Sequence, residues 1–130
     1  MRTGFVAVVL AAVMIALAGC GGSGPKTYDV SGTVTFDGQN VPTGEIMFIP
    51  DDKSVGPVEG KITDGKYTAK VREGKNRVEI RASRAVPGKK GPMGNEDFLE
   101  PYIPKKYNEK STLTADVGDG KTTHDFKLEK

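Results

Sequence analysis

Tryptophan is absent from this chain of 130 residues, and histidine and cysteine occur once each, as His124 and Cys20. A single histidine excludes a metal centre built from several histidines, including the iron site of two histidines and one carboxylate. The motifs of serine hydrolases, zinc peptidases and phosphate-binding loops are missing as well. The sequence therefore predicts no catalytic residues, no metal site and no cofactor.

An excess of charge of one sign is also lacking, because 19 lysines and arginines are nearly matched by 17 aspartates and glutamates. The formal net charge of the whole chain is only +2. Such a small charge provides little electrostatic attraction for nucleic acid or for anionic lipid. We therefore expect no nucleic-acid partner.

The one long apolar run lies near the N-terminus, in residues 5–17. It follows Met1 and Arg2, carries no charge, and is shorter than the ~20 residues that a membrane-spanning helix needs. A positive start followed by a short apolar run is typical of a secretory signal peptide. Residues 1–19 are therefore predicted to be a signal peptide.

The apolar run ends in Leu17-Ala18-Gly19-Cys20, which resembles the lipobox of bacterial lipoproteins. This resemblance implies cleavage before Cys20, acylation of its thiol, and attachment to a membrane through the lipid, with palmitate as one such acyl chain. The alternative is a free thiol in an exported protein, which an oxidising compartment disfavours. By analogy with lipoprotein sorting, the lack of aspartate after Cys20 favours the outer membrane or cell surface over the inner membrane.

Two further segments complete the predicted organisation of the chain. Residues 20–26 are assigned to the acylated cysteine and a glycine-rich flexible linker. Residues 27–130 are assigned to one domain, since the chain is too short for a second one.

Alternating apolar and polar residues follow the linker and predict strands with one buried face. In the first strand Val30, Val34 and Phe36 share one parity, and the Asp-Gly pair at residues 37–38 predicts a tight turn. The same pattern recurs along the chain, with further Asp-Gly turns at residues 64–65 and 119–120. It predicts an all-β fold, a seven-stranded Greek-key β-sandwich with hairpin connections. Predicted core residues in the later strands are Ile46, Phe48, Tyr67, Ala69, Val71, Val78, Ile80, Ala82, Leu113, Ala115, Val117, Phe126 and Leu128.

Two features of these strands could suggest chemistry, but ordinary structural roles are favoured. Arg77, Glu79 and Arg81 alternate with core residues and are expected to form a solvated charged row that discourages edge-to-edge pairing. His124 shares the parity of Phe126 and is expected at the edge of the core rather than as a lone base.

Residues 83–110 show no periodicity and contain several prolines and glycines, which predicts a long irregular loop. Loops of this length are uncommon in compact domains and are often functional. We therefore predict the binding site here. The candidate binding residues are Tyr102, Lys105, Lys106, Tyr107 and Asn108, and both tyrosines are also expected to contact the sandwich.

Several turn and core residues occur in an order that resembles the carboxypeptidase regulatory-like, transthyretin-like domain, above all its small bacterial lipoprotein form. The resemblance covers residues 28–128 and implies a prealbumin-like sandwich without catalytic residues. An Ile-Pro-x-Lys-Tyr-Asn segment at 103–108 and a Ser-x-Leu-Thr strand at 111–114 extend it. The main motifs are Val30-x-Gly32-x-Val34-x-x-Asp37-Gly38, Pro42-x-Gly44-x-Ile46-x-Phe48-Ile49-Pro50, Thr63-Asp64-Gly65-x-Tyr67 and Gly74-x-Asn76-x-Val78-x-Ile80.

Two functional hypotheses follow from these observations. The first is a non-catalytic, lipid-anchored cell-envelope domain that makes contacts with an envelope protein or a glycan through residues 83–110. The alternative is a carbohydrate-binding module of the periplasm or cell surface, in which Tyr102 and Tyr107 are the available aromatic platforms.

Overall fold

The computed structural model describes residues 26–130. The predicted signal peptide, Cys20 and the linker up to residue 25 lie outside these residues. Within 26–130 the chain is all-β, with no α-helix and one 3₁₀ turn at Lys105–Tyr107. No helix in this part of the chain is long and apolar enough to cross a membrane.

Ten strands occur in residues 26–130. They are β1 (Thr27–Phe36), β2 (Gln39–Asn40), β3 (Thr43–Pro50), β4 (Val58–Thr63), β5 (Lys66–Arg72), β6 (Gly74–Arg81), β7 (Ser83–Lys90), β8 (Asp97–Pro101), β9 (Thr114–Val117) and β10 (Phe126–Leu128).

Eight of these strands form one curled sheet, in the order β10-β1-β5-β4-β3-β6-β9 with β2 added to β1. Neighbours are antiparallel except β1 and β10, which are parallel. The remaining two strands, β7 and β8, pair only with each other. The all-β class predicted from the alternation is therefore confirmed.

Two of the predicted Asp-Gly turns are confirmed by their backbone angles. Asp37 and Gly38 have φ values of 48° and 80° between β1 and β2, and Asp64 and Gly65 have 50° and 74° between β4 and β5. Two consecutive positive φ angles define the two-residue hairpin turn that matches the twist of its strands. The local sequence therefore determines both hairpins.

The two halves of the curled sheet enclose one core. β4 and β5 pair only at Ile62–Tyr67 and Thr63–Lys66, beside their turn, and then diverge. The rings of Phe48 and Tyr67 consequently lie 5.9 Å apart, although β4 separates their strands in the sheet. The residues predicted to face the core are buried, apart from Phe36 and Leu113, which are half-buried and contact it.

Tyr67 lies between the rings of Phe48 and Phe126 and is only 3% exposed. Its hydroxyl donates a hydrogen bond of 2.6 Å to the carbonyl oxygen of His124. Burial, with a smaller contribution from Asp125, raises the pKa of Tyr67 well above its usual value. The phenol therefore stays neutral and keeps its bond in the folded protein at pH values where an exposed tyrosine ionises.

We predict that Tyr67 makes the protein sensitive to alkaline pH. Folding raises the pKa of Tyr67, so the contribution of its hydroxyl to the free energy of unfolding is complete below pH ~10. Above that pH the contribution falls by up to ~1.4 kcal/mol per pH unit. Tyr67→Phe should cost about 1–2 kcal/mol near neutral pH, through the lost hydrogen bond. Urea unfolding at pH 7 and pH 11 should show that this deficit shrinks with rising pH, and a constant deficit would contradict the assignment.

The predicted solvated row on β6 is wrong for Glu79, whose side chain is only 9% exposed. The guanidinium groups of Arg77 and Arg81 each lie 3.0 Å from one of its carboxylate oxygens. Met47 is the residue opposite Glu79 in the neighbouring strand. The carboxylate is buried because both arginines on its face of the strand bend over it, which provides the pairing that a buried charge requires.

The predicted hairpin connection between the last two strands is also wrong. β9 pairs with β6 at one edge of the sheet, whereas β10 pairs with β1 at the other. Residues 118–125 run from one edge to the other, and we call them the crossing segment. Two backbone hydrogen bonds of Ser31 attach this segment to β1: its N–H donates to the Thr122 carbonyl oxygen, and its carbonyl oxygen accepts the His124 N–H.

The third correction concerns residues 83–110, which are not one irregular loop. They contain β7 and β8, paired as a hairpin, and the 3₁₀ turn at Lys105–Tyr107. This hairpin accounts for two of the three strands beyond the predicted seven, and β2 is the third. Because neither face of the hairpin is buried in the core, its sequence has no reason to alternate, and periodicity could not reveal it.

Candidate functional site

The curled sheet has two distinct ends. Thr27 pairs with Arg72 at one of them, next to Lys26, where the described chain begins, and we call this the N-terminal end. β6 starts there and runs to Arg81 at the opposite end, where β7 begins two residues later. The eight residues of β6 span roughly 25 Å. The β7–β8 hairpin therefore leaves the sheet at the end remote from the start of the described chain, and we call this the hairpin end.

The hairpin projects from the sheet and is held by contacts within itself. Lys90 and Asp97 form an ion pair at 2.9 Å near its tip, and the Lys89 ammonium lies 5.6 Å from the centre of the Phe98 ring. Nearly every residue of both strands is exposed. Two strands alone are marginally stable in water, so this hairpin is a surface feature and contributes little to the core.

The hairpin carries all three of the large apolar side chains that are exposed among residues 26–130. Met93 is 79% exposed in its tip, and Phe98 and Leu99 are 40% and 61% exposed in β8. Isolated apolar residues on a surface are ordinary, and Phe98 and Leu99, as consecutive residues of β8, lie on opposite faces of the hairpin. The three side chains therefore do not form one contiguous patch, but their concentration within seven positions of one projecting element makes the hairpin the candidate interaction element.

Three open clefts surround the base of the hairpin, and Ser83 lines all of them. The largest, of about 560 Å³, extends to Tyr102 and the 3₁₀ turn. A second, of about 410 Å³, lies against Phe36. The third, of about 490 Å³, lies between Leu99 and the outer side of β3 and β4, including Lys61. Each is lined by both polar and apolar residues.

The two tyrosines predicted as binding residues are both half-buried. Tyr102 packs edge-to-face on Phe36 at 5.6 Å, and the Arg84 guanidinium lies 5.4 Å from the centre of its ring. Burial raises the pKa of Tyr102, although Arg84 opposes the shift. The Tyr107 hydroxyl accepts the N–H of Glu129 at 3.0 Å. Both rings contact the core, as predicted, and neither is a free platform for stacking a sugar.

The other three candidates divide between the interior and the surface. Asn108 is 8% exposed, and its amide group lies within 3.2–3.4 Å of the carbonyl oxygens of Ile80, Ile103 and Pro104. Lys105 and Lys106 are exposed on the 3₁₀ turn. Lys105 pairs with Glu109 at 3.7 Å, and the Lys106 ammonium lies 5.1 Å from the centre of the Tyr107 ring and donates to the backbone oxygen of Lys130. Lys105 lines the cleft at Tyr102, and neither lysine lies on the projecting hairpin.

Residues 26–130 contain no group of three histidine, cysteine, aspartate or glutamate side chains that could hold a metal ion. His124 is half-buried, as expected for the edge of the core, and one ring nitrogen lies 3.2 Å from the Lys121 carbonyl oxygen.

Comparisons with known proteins leave the site to be interpreted from its geometry. No family model, no curated protein and no solved structure matches this chain.

The predicted binding residues do not include the most exposed apolar side chains of residues 83–110, which are Met93, Phe98 and Leu99. The available signal was local: Phe98-Leu99 stands between acidic residues with no alternating apolar partners nearby. Such an isolated apolar pair has no place in the predicted core and could have been assigned to the surface.

Proposed function

We propose that this protein is a non-catalytic, lipid-anchored domain of the cell envelope that binds a protein partner through the β7–β8 hairpin. One observation carries the proposal: the hairpin with the three exposed apolar side chains lies at the end of the sheet opposite the start of the described chain. A domain attached at its N-terminus would thus present this hairpin away from its attachment point, where another envelope component can reach it.

The proposed attachment is the lipid on Cys20, with residues 20–26 as the acylated cysteine and linker. The lipobox-like sequence at residues 17–20 supports it, together with the short uncharged run before it. Several acyl chains would hold the protein stably, at ~0.8 kcal/mol per buried CH₂. We place the protein at the outer membrane or cell surface, on the same grounds of lipoprotein sorting as above.

We further propose that the domain, residues 27–130, is a Greek-key sandwich of the carboxypeptidase regulatory-like, transthyretin-like kind. The motif residues support this assignment because they have defined structural roles. Asp37-Gly38 and Asp64-Gly65 form two-residue turns, and Gly32 lies against the backbone of the crossing segment. The fold by itself assigns no function, so the binding proposal depends on the hairpin.

A protein partner is favoured over a glycan. Glycan binding relies on exposed aromatic faces, and both candidate tyrosines are half-buried and engaged with Phe36 and with the C-terminal strand region. Exposed aliphatic and thioether side chains such as Leu99 and Met93 are typical of contacts between proteins. The carbohydrate-binding alternative therefore loses its main structural support.

Excision of the hairpin tests the proposal. Ser83 and Pro101 are directly opposite in the ladder, so residues 84–100 can be replaced by Asn-Gly, which favours a two-residue turn. The core does not include the deleted residues, and we expect thermal unfolding to stay within a few degrees of the native protein. Retention on the protein's own envelope is measured in mild detergent, which removes membrane binding through the acyl chains. Under these conditions the full chain with the hairpin excised should no longer be retained.

The controls separate a protein partner from the other sources of retention. Protease treatment of the envelope before binding should abolish retention of the native protein, whereas persistence after proteolysis would indicate glycan or lipid. A double variant at the N-terminal end, Lys53→Ala with Val55→Ala, should be retained normally. Unchanged retention of the hairpin excision variant would refute the proposal.

A further inference from the structure

Both strands of the hairpin have an unpaired outer edge, but only one is regular. In β7, Pro87 has no N–H, Gly88 has a φ of 77°, and residues 86–89 bulge opposite Phe98 alone. Prolines, bulges and lysines are the usual protection of an exposed edge against pairing. β8 has five residues without a bulge of its own and a proline only at its last position. The outer edge of β8 is therefore the one that remains able to accept another strand.

The backbone groups of Leu99 point outward along this edge. The N–H of Tyr102 donates to the carbonyl oxygen of Ala82 at 3.2 Å, which makes that pair a hydrogen-bonded one. In an antiparallel ladder hydrogen-bonded and non-hydrogen-bonded pairs alternate. The Arg84–Glu100 pair is then hydrogen-bonded, and the N–H and C=O of Leu99 point away from β7. Leu99 thus presents a donor, an acceptor and an apolar side chain together.

The charge along β8 is negative and incompletely paired. Asp97 forms its ion pair with Lys90, but Glu96 and Glu100 form none within residues 26–130. Arg84 is opposite Glu100 in the ladder, yet its guanidinium lies over the Tyr102 ring instead. A strand laid along β8 would therefore meet two carboxylates that lack a cationic partner.

From these contacts we infer that the outer edge of β8 binds an extended, basic segment of the partner protein. The segment adds a third strand to the hairpin, exchanges backbone hydrogen bonds with Leu99, and places lysine or arginine against Glu96 and Glu100. This inference rests on the proposed function and deepens it. A second copy of the chain is disfavoured as occupant, because it would bring the same acidic segment, with Glu96, Asp97 and Glu100, to the shared edge and place like charges close together.

The test uses the full chain in mild detergent and a fluorescent octapeptide of alternating lysine and valine as the probe. We expect saturable binding by fluorescence anisotropy, with slowed hydrogen exchange at the Leu99 amide. The same peptide N-methylated at alternate residues keeps its charges and side chains but loses backbone donors. It should bind at least ~10-fold more weakly, the equivalent of one hydrogen bond.

Variants assign the contacts to the edge. Leu99→Pro removes the outward N–H and should weaken peptide binding at least ~10-fold, whereas Leu99→Ala keeps the N–H and should weaken it less. Glu100→Gln should weaken binding several-fold in low salt, and Glu73→Gln, an exposed acid at the N-terminal end, should have no effect.

The outcomes distinguish this inference from the proposed function. Equal binding of the methylated and unmodified peptides would overturn it in favour of simple charge attraction. Concentration-dependent dimers that are lost in Leu99→Pro would overturn it in favour of a second copy. If hairpin excision abolishes envelope retention while Leu99→Pro preserves it, the edge-pairing inference fails and the proposed function stands.

Discussion

Gly32→Ala is expected to lower the free energy of unfolding by about 3–5 kcal/mol, in the range of the most damaging single substitutions. A β-carbon on Gly32 would overlap the carbonyl oxygen of His124 and lie 2.6 Å from its carbonyl carbon. Both clashing atoms belong to backbone, so no side-chain rotation relieves them. The crossing segment before β10 must therefore move away from β1.

That movement breaks a set of hydrogen bonds that depend on each other. The Thr33 N–H donates to the Asp125 carboxylate at 2.8 Å, and the His124 N–H donates to the Ser31 carbonyl oxygen at 3.0 Å. The Tyr67 hydroxyl bond to His124 is strained at the same time. Each bond contributes ~1 kcal/mol, and partial exposure of Phe126 or Leu128 adds a fraction of the ~1.5–3 kcal/mol that full exposure of such a side chain costs.

Urea unfolding of the full chain measures this effect, and hydrogen exchange locates it. Residues 122–128 should lose protection in Gly32→Ala, while the β3–β6 ladder keeps it. Gly118→Ala is the matched control, because a β-carbon there meets nothing within 4 Å; it should change stability by less than ~0.5 kcal/mol. A loss below ~1 kcal/mol in Gly32→Ala with protection intact would show that β1 and the crossing segment are not in close contact.

The parts of the fold that follow from local sequence were predictable. Asp64-Gly65 determines its turn because two positive φ angles suit few other residue pairs. Val78 and Ile80 were predicted to face the core because a half-buried strand alternates. Neither inference required knowledge of the partner strand.

The incorrect predictions concern contacts that neither alternation nor turn residues report. The pairing of β10 with β1 joins residues more than ninety positions apart in sequence, and no turn signal identifies such a pair. The burial of Glu79 depends on two flanking arginines bending inward, which alternation cannot distinguish from three solvated charges. Alternation of apolar and polar residues arises when one face of a strand is buried. It therefore could not reveal the β7–β8 hairpin, which has no buried face.

The candidate site was predicted as a segment and not as a geometry. Composition located it within residues 83–110, and the contact of Tyr102 and Tyr107 with the sandwich was expected. The exposed edge of β8 was not expected, because an edge is defined by the absence of a neighbouring strand and the local sequence does not show which strands pair. Asn108 was predicted as a binding residue within this segment, yet its amide is directed into the protein.

Asn108→Asp is expected to be the second strongly destabilising substitution, at about 2–4 kcal/mol. Its amide nitrogen lies 3.2–3.4 Å from three carbonyl oxygens, including that of Ile80 in β6, and its own oxygen accepts the Glu109 N–H at 2.8 Å. These bonds fasten the 3₁₀ turn to the sheet. Aspartate has almost the same shape but places a buried negative charge against three acceptors.

The pH dependence of this variant identifies the cause. Burial against carbonyl oxygens raises the pKa of the introduced carboxyl in the folded state, and its neutral form can donate one hydrogen bond. The penalty relative to the native protein is therefore smallest below pH ~4 and grows as the pH rises. Asn95→Asp, the same change in the exposed hairpin tip, should cost less than ~0.5 kcal/mol. A deficit in Asn108→Asp that is equal at pH 4 and pH 7 would mean that lost packing, and not the missing donor, explains the instability.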